Sequence, residues 1–181
     1  MINNGKAKIS KNFDGLSIII PSKKNWFFLL FGTFWMGGWL LGFLFALETL
    51  FSEMDSGADL FLFFWLIAWT IGGIAITFFL LWGYFGKEKF ITERNEVFFE
   101  KTIFGIGKKN RLDISDVKNF RTEFVNERKS WFFRNNNLAL YGLGGKIKFD
   151  YGFKTYSFGL SVDEAEAEYI VGLLKEQFKE K

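Results

Sequence analysis

Two uninterrupted apolar stretches dominate the chain. Trp26–Leu47 and Leu60–Phe85 contain no Lys, Arg, Asp or Glu, and Lys and Arg are absent from the whole of 26–85. Crossing the hydrocarbon core of a bilayer as a helix takes about 20 apolar residues, and each stretch is that long. A helix packed in a soluble core keeps a polar face toward water; neither stretch has a charged one. The pattern predicts a membrane α-helical hairpin with helices over about 26–47 and 60–85. The acidic loop between them, 48–59, holds Glu48, Glu53, Asp55 and Asp59. The first stretch follows 25 polar-leaning residues and is too long for the apolar core of a signal peptide, so it reads as a retained span.

Within the spans, Trp35 and Trp39 lie four residues apart, as do Trp65 and Trp69, so each pair shares a helix face. In an antiparallel hairpin Trp39 and Trp69 fall at similar depth and are expected to pack ring on ring. Gly38 and Gly42 form a small-xxx-small step, and Ala68, Gly72 and Ala75 put small residues on the other helix, a pattern that permits close helix packing in lipid. No Lys, Arg, Asp or Glu lies inside either span. Such groups mark ion and proton paths, so the pattern favours an anchor over a transporter.

After Gly86 the pattern changes to short alternating runs. Phe90–Thr92 and Val97–Ile103 flank a polar turn at Arg94-Asn95-Glu96. Gly105 and Gly107 mark a break, and Arg111–Ser115 and Val117–Phe124 read as strands. After the polar stretch 126–137, Leu138–Tyr141, Lys146–Tyr151 and Lys154–Phe158 complete about seven strands. The C-terminal segment, about 162–179, has apolar residues at helical spacing. Ser161 and Glu164 are placed as a capping box before it. Residues 86–181 are thus expected to form a mainly β domain with one C-terminal helix. In the segment 1–25, Leu16–Ile20 is a short strand-forming run that could join that sheet.

Charge orients this arrangement. Residues 1–25 and 86–181 are each net basic, the loop between the spans is purely acidic, and the whole chain is +3. Lys23 and Lys24 precede the first span; Lys87, Lys89 and Arg94 follow the second. Since Lys and Arg collect on the cytoplasmic side, the expectation is a multi-pass protein of the inner (plasma) membrane with both termini cytoplasmic. Composition narrows the chemistry. With no His and no Cys, histidine-based acid–base catalysis, thiol nucleophiles and thiolate metal sites are excluded. Neither an enzyme, a cofactor, a metal nor a nucleic-acid partner is expected.

A two-helix hairpin, about seven strands and a final helix, in that order, resemble the bacterial two-transmembrane-helix proteins with a C-terminal pleckstrin-homology-like domain. The stretch Phe149-Asp150-Tyr151-Gly152-x-Lys154-Thr155-x-x-Phe158-Gly159, then Asp163-Glu164-Ala165-Glu166-Ala167, carries the resemblance, together with Ile20-Pro21-Ser22-Lys23-Lys24-Asn25-Trp26. It implies a PH-like barrel and a binding role. In better-known relatives of the fold a basic loop between the first two strands binds lipid headgroups; here that turn carries Arg94.

Two clusters are candidates for binding a lipid or a protein partner. Lys108, Lys109 and Arg111 follow the glycine break, where they could attract anionic headgroups. Trp131 and Arg134 belong to a run of aromatics flanked by bases, suited to an interfacial anchor or a partner groove. The expected function is a membrane-anchored PH-like module that engages a protein partner or anionic headgroups at the cytoplasmic face. The alternative is a small structural subunit that packs with itself or a membrane complex through Trp35, Gly38, Trp39, Gly42, Trp65, Trp69 and Gly72.

Overall fold

The computed structural model describes residues 5–13, 15–52, 59–123 and 145–179. It divides into two compact units: Asn25–Tyr84, and Met1–Lys24 together with Phe85–Lys181.

The first unit is helical. Helix α1 spans Trp26–Ser52 and α2 spans Asp59–Phe85, and both are long and apolar enough to cross a membrane. Asn25 caps α1: its Oδ1 accepts from Phe28 N at 3.4 Å and its carbonyl from Leu29 N at 3.0 Å. The helix runs past the expected end at Leu47, through Glu48 to Ser52. An acid does not break a helix, and no Pro or Gly interrupts this turn. At 1.5 Å per residue, 27 residues make a rod of about 40 Å, longer than the roughly 30 Å apolar core of a bilayer. The Glu48 turn can therefore project beyond the hydrocarbon. Thr33, Thr49, Thr70 and Thr77 each donate their hydroxyl to the carbonyl four residues earlier, at 2.7–3.0 Å. These bonds satisfy each hydroxyl within its own helix, without water. Phe27, Phe34, Phe45, Leu60 and Phe61 point outward and are exposed. An outer surface so apolar suits lipid, not water.

The second unit is mainly β. Five antiparallel strands run in chain order across one sheet: β1 Lys8–Asn12, β2 Gly15–Pro21, β3 Gly86–Glu93, β4 Glu96–Ile103 and β5 Ile106–Asp113. A 3-10 turn, Ile114–Asp116, leads to a second sheet of β6 Val117–Thr122, β7 Ile147–Tyr151 and β8 Lys154–Phe158. Helix α3, Glu164–Lys179, closes the chain. Among the described residues no strand pairing joins the two sheets, so they are not closed into a barrel.

The segment before α1 is integral to this unit. Leu16–Ile20 does pair with the sheet, and Ile18 and Ile20 are fully buried. A polar strand, β1, also precedes it, unanticipated from the sequence. Six of the described strands lie in 86–181 rather than seven; the expected Leu138–Tyr141 strand lies outside the described residues.

Five phenylalanines, Phe90, Phe99, Phe120, Phe149 and Phe158, cluster within an otherwise aliphatic described core. Phe90 stacks on Phe158 (5.5 Å, 9° between planes) and meets Phe149 edge-on at 5.4 Å, while Phe99 meets Phe149 at 5.6 Å. Offset and edge-on ring pairs are favourable beyond the area they bury. Ile170 and Leu174 of α3 are fully buried in the same cluster, and Phe178 packs on Phe120 at 4.7 Å.

The helix start differs from the expected capping box. Asp163, not Ser161, is the cap, with its Oδ1 accepting from Glu166 N at 2.7 Å. The Ser161 hydroxyl instead donates to the Pro21 carbonyl at 2.7 Å, tying the approach to α3 to the end of β2. The helix begins at Glu164, so the position just before it is Asp163, and Ser161 lies too early to cap.

Candidate membrane-binding site

The register gives the five-stranded sheet two unlike ends. Pro21 faces Lys87, Gly86 faces Ile103 and Ile103 faces Ile106, while Ser22 N donates to Gly86 O at 2.9 Å. The chain enters α1 and returns from α2 at this one end. The opposite end carries the Arg94-Asn95 turn and the β1–β2 turn.

Side chains on one face of a sheet follow the register row by row. The row nearer the helix connections reads Lys8, Ile19, Lys89, Glu100, Lys109 across β1 to β5. Glu100 lies between two bases, 3.8 Å from Lys89 Nζ and 3.9 Å from Lys109 Nζ, so one carboxylate is shared and the row stays positive. Lys87 projects from the next row. The row at the other end has Glu93, Glu96 and Asp113 facing one another. The face is thus basic where the helices connect and acidic where they do not.

The three basic residues singled out in β5 are separated by this geometry. They lie along an edge strand, not in a turn, so alternation sends Lys109 and Arg111 to one face and Lys108 to the other. Lys108 and Lys109 are exposed. Arg111 is committed to an ion pair with Glu96, which raises its pKa, chiefly through the side-chain hydrogen bond. Arg111 therefore belongs to the acidic end. Trp131 and Arg134 lie outside the described residues.

The turn itself is Phe104-Gly105. Both residues have positive φ, 52° and 83°, the backbone of a two-residue hairpin turn that favours Asn-Gly. Phe104 is 67% and Ile106 82% exposed, and the Phe104 ring lies 4.3 Å from that of Phe85.

Two polar arrangements were not foreseen from the sequence. Glu88 is buried on the inner face. Its carboxylate pairs with Lys101 Nζ at 3.0 Å and accepts from Gly159 N at 2.7 Å, which ties β3 to the end of β8. Burial pushes its pKa up, against the opposing pull of Lys101. Asp150, in the stretch that carries the family resemblance, accepts from Arg121 at 2.8 Å, Thr155 at 2.7 Å and Asn119 at 3.2 Å. These bonds, that of Arg121 above all, hold its pKa down to about 2. Asn119, at φ 58°, sits where the β6–β7 register shifts. This constellation fastens a bulge, so the conspicuous Asp-x-x-x-x-Thr spacing serves the fold. Among the described residues no cluster of three or more metal-binding side chains occurs.

In the helical unit Trp39 and Trp69 meet edge-on at 5.3 Å, as their matched depth implies. Trp65 meets Trp69 at 5.8 Å, and Trp35 stacks on Phe31 at 6.0 Å. The glycines act as seats for these indoles. A Cβ on Gly72 would come within 3.2 Å of the Trp39 ring, and one on Gly42 within 3.2 Å of Trp69. Gly38 is not part of this contact: a Cβ there meets nothing within 4 Å. Gly38 instead lines, with Gly37, Trp35 and Ala68, an open apolar groove of about 960 Å³. The small-xxx-small step is therefore split between an indole seat and an open groove.

No family model matches the chain, and no curated protein matches it.

Proposed function

We propose that this chain is a membrane-anchored binding module whose β unit, a PH-like domain, engages anionic lipid headgroups. The hairpin crosses the inner (plasma) membrane and both termini are cytoplasmic. The observation that carries this reading is the insertion of the hairpin between two strands bonded to each other, β2 and β3. Strands paired in one sheet share one side of a membrane, so a span leaving from β2 needs a second to return to β3. The sheet end at that junction is the basic one, and Lys23 and Lys24 follow β2 there, just before α1. A basic surface held near anionic lipid gains about 1 kcal/mol per Lys or Arg.

Hydrogen exchange on the full chain in bilayers tests this. Amides of 106–111 are expected to exchange more slowly in bilayers with anionic lipid than in zwitterionic ones, and Lys108→Ala with Lys109→Ala removes the difference. Equal exchange in both bilayers sinks the headgroup reading and leaves a protein partner as the ligand class.

A structural role is favoured by one specific observation, the open groove at Gly37 and Gly38. On that reading the hairpin packs with a second copy or a larger complex. Crosslinking in native membranes that yields only monomer counts against it.

A further inference from the structure

We propose that the β4–β5 turn is a third membrane contact: Phe104 and Ile106 insert at the headgroup–acyl boundary, and Lys87, Lys108 and Lys109 around them meet anionic headgroups. This rests on the reading of α1 and α2 as membrane spans. The placement follows from the register. Gly86, the residue after α2, pairs with Ile103, so the two turn residues project beyond the strands on the side of Phe85, where α2 ends. The contact between Phe85 and Phe104, 4.3 Å between ring centres, puts the turn beside the last residue of an apolar span.

The chemistry of the turn matches that position. Two large apolar side chains, 67% and 82% exposed, have no role in the core. Phe104 holds a φ of 52°, a conformation that a bulky side chain resists and that Asn or Gly adopts readily. A strained, solvent-facing Phe is unfavourable in water but gains free energy in the membrane interface. Bases surround it: Lys87, Thr102 and Gly107 lie in one row, and Lys108 and Lys109 follow at once along β5. Apolar tips with cationic collars suit an anionic lipid surface. Phe13, in the β1–β2 turn at the opposite end, is more exposed still, but the Glu93, Glu96 and Asp113 row lies at that end.

The chain has no Cys, so single-cysteine labelling is clean. Full-length Ile106→Cys, Phe13→Cys and Leu40→Cys proteins carry an environment-sensitive fluorophore in bilayers containing anionic lipid. Quenchers attached to the acyl chain near the headgroup are compared with aqueous iodide. The inference predicts blue-shifted emission and lipid-borne quenching at 106, with iodide quenching at 13. If 40 is quenched from the lipid but 106 behaves like 13, the turn is not a membrane contact although the hairpin reading stands. If 40 itself is quenched by iodide, the hairpin reading fails and the inference with it. Phe104→Asn, which suits the turn backbone, is expected to shift the label at 106 toward the aqueous signal; an unchanged signal there removes the role given to Phe104.

Discussion

Pro21 and Lys87 face one another across β2 and β3, although both long helices lie between them in the chain. The pairing makes the hairpin an insertion within a sheet, not an N-terminal appendage to a separate domain. It also makes the first residues of the chain essential to the fold that follows the spans.

Ile18 tests that dependence. It is fully buried against the aromatic core, and Ile→Ala at such a site costs about 2–5 kcal/mol. Chemical denaturation in detergent, followed by a probe in 86–181, is expected to shift accordingly for Ile18→Ala. An unshifted transition means that the N-terminal strands are dispensable.

Gly72 and Gly38 should differ in their response to enlargement. Gly72→Leu drives a side chain into the Trp39 ring, and overpacking of this kind costs about 1–3 kcal/mol. Gly38→Leu enters open space and leaves thermal stability in detergent unchanged. Equal destabilisation by both substitutions contradicts the indole-seat description.

Asp150 and Glu88 give pH dependences of opposite sign. The Asp150 pKa is lowered, from an ordinary 3.8 to about 2, so its stabilisation is complete above 3.8 and is lost as pH falls toward 2. Asp150→Asn removes that acid sensitivity. The Glu88 pKa is raised by burial, so the folded state holds its proton more firmly than the unfolded one. Stability from that source is present below 4.5 and declines as pH rises above it. Glu88→Gln keeps an acceptor for Gly159 N and should flatten this decline. Stability measured from pH 2 to 8 checks both, and slopes unchanged in both variants contradict the assignment.

The basic residues of β5 should separate by position. Lys108→Ala and Lys109→Ala each weaken the anionic-lipid effect by about 1 kcal/mol at low salt, and added salt screens it. Arg111→Ala, which removes a base already paired with Glu96, should change it little. Exchange protection of β5 in anionic bilayers reads all three, and a dominant loss at Arg111 overturns the polarity assigned to the sheet.

The parts of this architecture visible in the sequence are those set by a local rule. Lipid demands long uncharged runs, so α1 and α2 stand out. The matched depth of Trp39 and Trp69 follows from counting residues along two antiparallel helices. The β-sheet was less legible because its pairing is long-range. Nothing local tells Ile18 that its neighbour is Phe90. Lys8–Asn12 has one apolar core residue, Ile9, and reads as polar coil. Ile106–Asp113 is an edge strand with water on both sides for most of its length, so Lys-Lys-Asn-Arg lacks strand alternation. Gly105 and Gly107 suggested the break, and Gly105 is in the turn, but its partner there is Phe104, a Phe in a conformation usually left to Asn. At the C-terminal helix the Ser161-Glu164 spacing suggested a cap, but Asp163 lies directly before the first turn and accepts from Glu166 N instead.

The most direct test of the account is the sidedness of two single cysteines, Ser52→Cys at the end of α1 and Asn95→Cys in the β3–β4 turn, in intact cells treated with a membrane-impermeant maleimide. The account predicts labelling at 52 from outside and at 95 only after the membrane is permeabilised. Labelling of both positions in intact cells, or of 95 alone, would contradict a hairpin that crosses the membrane and returns its β unit to the cytoplasmic face.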